Sequence, residues 1–307
     1  MKAVVYTAYG DPEVLQLVDL PKPAPKDGEV LVKVRATTVT IGDTIMRSLK
    51  IPVPGWQRLV ARVYLGIRAP KRSILGMELA GDVEAVGKGV TRFKEGDQVF
   101  ASTFDLGFGG YAEYKCFPEE ATIAPKPAGL SYAEAAALVG GGMTALRCLR
   151  RADIRPGQKV LVYGASGAVG TSAVQLATHH FGAEVTGVCS AANLELVRSL
   201  GAGRVLDYSA AGFDIGAGVH DVVFDAVGKL DLSRGRKVLT KTGVYLNVLK
   251  DSGSAERMSE FLALKELAEA GKIRPVIDRS YPLEQIVEAH RYVDTGHKRG
   301  NVAIEVA

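Results

Sequence analysis

The stretch from Lys159 to Glu184, KVLVYGASGAVGTSAVQLATHHFGAE, constrains the fold of this chain more than any other. Its apolar run Val160-Leu161-Val162 meets a small-residue turn, Gly164-Ala165-Ser166-Gly167-Ala168-Val169-Gly170. An apolar-periodic segment follows, with Val169, Ala173, Leu176 and Ala177 on one stripe. That order reads as strand, tight turn and helix. Small residues let the backbone approach a diphosphate closely, and a helix beginning near Ala168 aims unpaired N–H groups and its positive dipole end at that charge. The turn is expected to cradle a pyrophosphate. A glycine-rich turn can also do no more than pack a helix on a strand, and Ala165 replaces the first glycine of GxGxxG. The surroundings favour dinucleotide binding: Val185 to Val188, Arg204 to Leu206 and Asp221 to Ala226 read as further strands, and Asn193 to Leu200 as a helix.

A chain of 307 residues can bury a sizeable core and is expected to hold two domains. Its 47% hydrophobic and 23% charged residues are those of an ordinary globular protein. Cys116, Cys148 and Cys189 stand singly, without a CxxC or an even framework, which points to a reducing compartment and packing roles. The start, MKAVVYTAYG, turns polar too soon for a signal peptide and reads as a strand, so cytoplasmic residence is expected. The window Val160 to Ala183 lacks charge and is long enough to span a bilayer, but its glycines, Gln175 and the pair His179-His180 favour strand, turn and helix. A net charge of +4, spread along the chain, is too weak to indicate nucleic acid.

Taken in order, Val4, Tyr6, Val30, Val32 and Val34 alternate around the proline-rich PKPAPKDGE turn, as strands of an antiparallel sheet do. TTVTIGDTIMR should begin a helix capped near Thr40 or Gly42. From Lys50 to Ser73, Lys50, Arg58, Arg62, Arg68, Lys71 and Arg72 surround Trp56, Leu59, Val60, Val63 and Leu65, a basic amphipathic pattern. A lid over an active site, an anionic membrane-surface contact and a solvated helix packed on its domain all fit. Short glycine-punctuated strands follow, and Ser131 with Glu134 forms a capping box that opens the nucleotide domain. Helices over Ala255 to Gly271 and within SYPLEQIVEAHRYVDTGHKRG precede a final strand, NVAIEV, that can return to the first domain.

KAVVY…GDPEVL, GMELAGDVEAVG, FKEGDQVF, GGYAEY, GGGMTAL, VLVYGASGAVG, RSLGAGRVLDY, FDAVG and GNVAIEV together span the chain. With these motifs it resembles the medium-chain dehydrogenase/reductase superfamily, and within it the zinc-free quinone oxidoreductase and enone reductase branch. The resemblance implies an α/β protein: a GroES-like β domain from residues 1–125 and 272–307, a Rossmann doubly wound parallel sheet from 126–271, and an active site in the cleft between them.

The zinc branch would have Cys at Thr40, His at Met77 and Cys or Asp near Gly141, and a four-cysteine structural lobe near the lone Cys116. Zinc wants thiolate and imidazole, so no metal is expected. Without a metal to stabilise an alkoxide, oxidation of a simple alcohol is disfavoured. A quinone or α,β-unsaturated carbonyl accepts hydride directly, and its oxyanion needs only hydrogen-bond donors and a proton. The expectation is an NADPH-dependent reductase of such small molecules; the alternative is a non-catalytic NADP(H)-binding redox sensor or interaction protein.

No carboxylate follows the second strand, where Cys189 and Ser190 stand; one about 5 Å from a 2′-phosphate would cost on the order of 1–3 kcal/mol. NADPH is therefore expected, with NADH possible because Ala191, Ala192 and Asn193 replace the Arg or Lys many relatives carry. The resemblance places the phosphate near Ser190, Asn193 and Tyr208, and the nicotinamide end near Thr144, the backbone of Val227-Gly228 and Leu246-Asn247, and Asn301. On the substrate side relatives show Asn-x-x-Asp and a nearby Tyr; here Thr40 replaces Asn, Asp43 remains and Ile45 takes the tyrosine position. Thr40 and Arg47 can donate to a substrate oxygen, although Arg47 can equally pair with Asp43.

Tyr111 and Lys115 make a YxxxK pattern like that of short-chain dehydrogenases, but upstream of the glycine turn it reads as strand alternation. LKDSGSAE, after Val248, stands where relatives carry a longer stretch with an edge strand that pairs across a dimer, so a homodimer by that route is in question.

Overall fold

The computed structural model describes residues 1–51, 55–253 and 258–307. Strands β1 (Lys2–Val5), β2 (Gln16–Asp19) and β3 (Glu29–Val39) lead to helices α1 (Ile41–Ser48) and α2 (Gly55–Leu65). Then come β4 (Glu78–Val86), β5 (Gln98–Ser102), β6 (Tyr114–Pro118), β7 (Ile123–Pro125) and the long α3 (Tyr132–Arg150). Next are β8 (Lys159–Tyr163), α4 (Ala168–Gln175), β9 (Glu184–Cys189), α5 (Leu194–Ser199), β10 (Arg204–Asp207) and β11 (His220–Asp225). After α6 (Leu232–Lys237) and β12 (Leu239–Asn247) stand α7 (Val248–Asp251), α8 (Met258–Glu269), β13 (Ile277–Pro282), α9 (Ile286–Asp294) and β14 (Asn301–Glu305).

The chain divides into two compact units. One comprises Met1–Lys126, Leu130–Ala137 and Ile277–Ala307; the other comprises Pro127–Gly129 and Leu138–Val276. In the first, β13, β14, β3, β4, β5 and β7 form a sheet in that order, β6 also pairs with β3, and β1 pairs with β2. The final strand does return: β14 runs antiparallel to β3, with Val302 opposite Val39 and Glu305 opposite Ala36. Val30, Val32, Val34, Leu79, Phe117, Val302 and Ile304 are buried together with Ile286, Ala289 and Val293 of α9. Each of these Val, Leu, Ile and Phe side chains contributes about 1.5–3 kcal/mol by leaving water.

In the second unit five parallel strands lie in the order β10-β9-β8-β11-β12. Leu161, Val188 and Val223 of these strands are buried in one cluster with Ile215, Leu230 and Val238, as the apolar runs of strands covered on both faces lead one to expect. The capping box forms at the start of α3: the Ser131 amide donates to the Glu134 carboxylate (2.8 Å) and the Glu134 amide to Ser131 Oγ (3.2 Å). The helix over Asn193 to Leu200 begins with a tight turn at Ala191–Asn193 before α5 proper, and α4 widens into a π turn at Leu176–His180. Among the described residues β12 is one edge of this sheet and β10 the other, and α7 follows β12 directly; the LKDSGSAE segment and the expected helix from Ala255 reach into 254–257, outside the described residues.

Candidate active site

β8 ends at Tyr163, and the next two amides, of Gly164 and Ala165, both donate to the Val188 carbonyl of β9 (3.0 and 2.9 Å). This doubled bond turns the chain sharply, and Gly164 adopts φ +80°, which only glycine takes without strain. A Cβ on Gly170 would lie 2.1 Å from the Gly164 carbonyl oxygen, so α4 packs on the turn only because residue 170 has no side chain. Gly167 differs: its Cβ would meet nothing closer than 3.7 Å within the protein, although it sits at the N-cap of α4. The amides of Ala168, Val169 and Gly170 in the first helical turn have no intrahelical acceptor.

Sheet order puts a topological switch point at this end of the unit. From β8 the chain first winds outward to β9 and β10, then reverses to β11 and β12, so the C-terminal ends of β8 and β11 flank the switch point. Val227 closes on Gly164, where an added Cβ would touch its Cγ1 at 2.5 Å. Asp225, buried at the end of β11, accepts from the amides of Val227, Gly228 and Leu230 (3.2, 2.9 and 2.9 Å) and from Asn247 Nδ2 (3.1 Å). It ties Val227, Gly228 and Asn247 into one loop cluster. Sequence reasoning missed Asp225, though its signal is present in FDAVG: a carboxylate closing a buried strand before a glycine.

Asn193 brings Ser166 and Ser190 together, its Nδ2 donating to both hydroxyls at 3.1 Å. Tyr208 is exposed beyond β10, its amide bonded to the Cys189 carbonyl (3.1 Å). The expectation that no carboxylate stands near the end of β9 needs correction. β10 sets Asp207 opposite Cys189, and its carboxylate accepts from the Ser209 hydroxyl and amide (2.6 and 2.9 Å) and from the Ala191 amide. These donors hold Asp207 below its ordinary pKa and occupy it. Thr144 lies on α3 one turn beyond Gly141, whose Cβ would meet the Ala168 carbonyl oxygen at 2.9 Å. Leu246 is buried in β12, so only its backbone is available; Asn301 is buried at the start of β14, in the other unit.

The substrate-side residues sit on α1. Thr40 is its N-cap: Oγ1 accepts from the Asp43 amide (3.1 Å) and donates to Asp43 Oδ2 (2.6 Å), which also accepts from the Thr40 amide (2.9 Å). The Gly76 amide (3.0 Å) and the Tyr111 hydroxyl complete the shell around Asp43. The carboxyl is fully buried, and burial pushes it up to about 6 despite these donors. Met77 Sδ lies 3.7 Å from Thr40 Oγ1, so two positions that hold zinc ligands in the zinc branch adjoin here as a hydroxyl and a thioether.

Arg47 does not pair with Asp43. Asp43 is turned into its own N-cap while Arg47, one turn later and 2% exposed, points to α9. There it bonds the Gly10 carbonyl (3.1 Å), His290 Nδ1 (3.2 Å) and the Asp294 carboxylate (2.7 Å). It clamps α1 to α9 and has no face left for a substrate. Tyr111 also departs from expectation: β6 begins only at Tyr114, and the Tyr111 side chain is wholly buried against Asp43 and His290 rather than on a strand face. Burial pushes the Tyr111 hydroxyl well above its ordinary pKa and, with the Arg47 charge, pushes His290 down to about 3.

Cys116, Cys148 and Cys189 are unpaired, and burial raises the latter two thiols to about 12 and 11. Among the described residues no three His, Cys, Asp or Glu side chains cluster, and no helix is long and apolar enough to cross a membrane.

Residues 26–128 match the alcohol dehydrogenase GroES-like domain, and 252–304 match the zinc-binding dehydrogenase family. The chain is 33% identical to the NADPH-dependent alkenal/one oxidoreductase, chloroplastic, of Arabidopsis thaliana, over 99% of this chain and 79% of that one. It is 32% identical to the quinone oxidoreductase of Rattus norvegicus, over 98% and 96%. A quinone oxidoreductase structure from Coxiella burnetii superposes with a TM-score of 0.86 at 29% identity, covering 100% of this chain and 99% of that one.

Proposed function

The chain belongs to the medium-chain dehydrogenase/reductase family, in its quinone and enone reductase branch, and from that membership we propose a zinc-independent, NADPH-dependent reductase that delivers hydride to quinones or α,β-unsaturated carbonyls. The observation that carries the reading is the glycine turn beside Val227 at the switch point of the parallel sheet. There the residues fit a dinucleotide: Gly164 and Gly170 let the turn and α4 close, Gly167 keeps a side chain out of the cradle, and the amides of Ala168, Val169 and Gly170 are left to bind a diphosphate. Ser190, Asn193 and Tyr208 are assigned to the 2′-phosphate; Asp207, held ionised opposite Cys189, opposes that charge, so NADH is accepted as well. Thr144, Val227, Gly228, Leu246, Asn247 and Asn301 are assigned to the nicotinamide end. Residues 1–125 and 272–307 are assigned to the catalytic domain and 126–271 to the coenzyme domain, in a cytoplasmic protein.

A dihydronicotinamide held there would supply hydride to a conjugated carbonyl, leaving negative charge on its oxygen. Thr40 and Asp43 then supply the proton. The Thr40 hydroxyl passes its proton to the substrate oxygen and takes one from Asp43 at 2.6 Å, a carboxyl that burial keeps partly protonated near pH 6. Tyr111 holds Asp43 in place from behind. Thr40, Met77 and Gly141 offer no thiolate, imidazole or carboxylate, which is why zinc is left out.

The test is oxidation of NADPH and NADH, with a metal chelator present, against ortho- and para-quinones, alkenals, enones and simple alcohols. Chelator-resistant NADPH turnover with one conjugated class is expected. Coenzyme binding with no turnover overturns the reductase and leaves a dinucleotide-binding sensor; turnover of alcohols that the chelator abolishes overturns the metal-free reading.

A further inference from the structure

Helix α2 sets Trp56, Leu59, Val60 and Val63 within one face at helical spacing, and that face is turned outward: these residues are 69, 66, 60 and 51% exposed. Ile67, 59% exposed just beyond the helix, extends the patch. The opposite side holds α2 to its domain. Gln57 and Leu65 are half-buried, Leu65 lines a cavity of about 210 Å³ with Tyr6, Lys71, Arg72 and Phe108, and the Tyr9 hydroxyl donates to the Gly66 carbonyl (3.1 Å). The segment is therefore helical, as one expected reading had it, but its apolar stripe is not packed on the domain. A surface helix ordinarily turns that stripe to the core, and a continuous apolar patch left outside marks a contact surface.

Charge identifies the partner. Between Asp43 and Glu78 the sequence has no Asp or Glu but carries Lys50, Arg58, Arg62, Arg68, Lys71 and Arg72, of which Arg62 and Arg68 stand exposed beside the stripe. Arg62 Nε donates to the Ile67 carbonyl and Lys71 Nζ to that of Val63 (both 3.0 Å), neutral acceptors that leave the charge in place. Among the described residues none of Arg62, Arg68, Lys71 and Arg72 joins an ion pair. A second copy docked across a two-fold axis would press these cations against themselves. An acidic lipid surface instead neutralises them while its acyl boundary takes the stripe.

We propose that α2 and the following loop to Arg72 dock this protein peripherally on anionic lipid bilayers, with Trp56, Leu59, Val60 and Val63 sunk at the interface and the cations at headgroup level. The helix lies in the surface; at eleven residues it is too short to span.

Trp56 is the chain's single tryptophan, so intrinsic emission reports on this helix alone. The full chain, without coenzyme or substrate, is titrated with phosphatidylglycerol/phosphatidylcholine vesicles, pure phosphatidylcholine vesicles and inorganic phosphate, and co-sedimentation is scored in parallel. With the acidic vesicles we expect a blue shift, quenching by brominated lipid, and partitioning at least tenfold weaker at high salt or on neutral vesicles. Arg62→Gln with Arg68→Gln, and separately Leu59→Ser with Val63→Ser, change only exposed positions and should each weaken partitioning at least tenfold while leaving the thermal midpoint in place. An unshifted emission with the protein left in the supernatant overturns the proposal. So does the same shift with phosphate alone, or a lipid-free shift that grows with protein concentration. None of these readings involves turnover, so the outcome is independent of the reductase assignment.

Discussion

The imidazole of His290 stands with Nε2 3.2 Å from the Tyr111 hydroxyl, the two rings nearly perpendicular at 89°. On its other side Nδ1 lies 3.2 Å from Arg47, which can only donate. Nδ1 must therefore accept, Nε2 must carry the hydrogen, and Tyr111, accepting from Nε2–H, is left to donate its own proton to Asp43. One guanidinium thus sets the direction of every hydrogen bond from α9 to the candidate catalytic carboxyl.

Removing the phenolic oxygen breaks that chain at its centre. Tyr111→Phe should cost about 1–3 kcal/mol, because it strands Nε2–H and takes a donor from a buried carboxyl. It should also raise the Asp43 pKa further, since the Tyr111 bond lowers it. Urea unfolding with an unchanged slope and a lower midpoint checks the first effect. A shift of the kcat–pH profile to higher pH checks the second, and a variant as stable as the parent would show that the chain carries no free energy.

Asp43 and His290 pull stability in opposite directions with pH. The Asp43 carboxyl is raised to about 6, so its contribution is present below its ordinary value near 3.8 and is lost as pH rises through 6. His290 is lowered to about 3, so its contribution is present above 6.5 and is lost as pH falls toward 3. His290→Gln removes only the second. Relative to the parent it should gain about 1.4 kcal/mol per pH unit on acidification from 6.5 to 4, measured by urea unfolding at each pH. A stability difference that stays constant across that window would contradict a neutral buried His290.

The glycine turn separates packing from binding. Gly170→Ala must move the Gly164 carbonyl and should lower the thermal midpoint. Gly167→Ala meets only ordinary contacts inside the protein and should cost within about 1 kcal/mol as an N-cap change, yet weaken NADPH binding tenfold or more by filling the cradle. Fluorescence titration beside thermal melts distinguishes the two, and undiminished affinity in Gly167→Ala would move the diphosphate elsewhere.

Ala192 is exposed in the turn after Ser190, beside the residues assigned to the 2′-phosphate. Ala192→Arg should raise the NADPH/NADH ratio of kcat/KM roughly tenfold, in line with one partly screened ion pair. An unchanged ratio would place the phosphate away from Ser190 and Tyr208.

The parallel sheet, its glycine turn, the Thr40 cap and the return of the last strand were all legible in the sequence. Each is written in local pattern: apolar runs, small-residue turns, a hydroxyl three residues before a carboxylate. What could not be read there depends on residues far apart in the chain. Arg47 reaches His290 and Asp294 because α1 packs beside α9, and no spacing encodes that. Tyr111 looked like a strand residue because its neighbours alternate, whereas a bend turns it inward toward Asp43. Asp207 came beside Cys189 through β10–β9 pairing, although only the residues after β9 had suggested what borders the ribose. The stripe of α2 shows the same limit from the other side, since periodicity gives a face and not what the face meets.

The pairing of β14 with β3 also fixes an order of events during synthesis. β3 leaves the ribosome early but waits for β14, its antiparallel neighbour, through the making of more than two hundred residues. All five strands of the parallel sheet emerge in that interval and can close among themselves. The first unit to begin translation is thus the last to be completed, and its unpaired β3 edge is what a nascent-chain chaperone would meet.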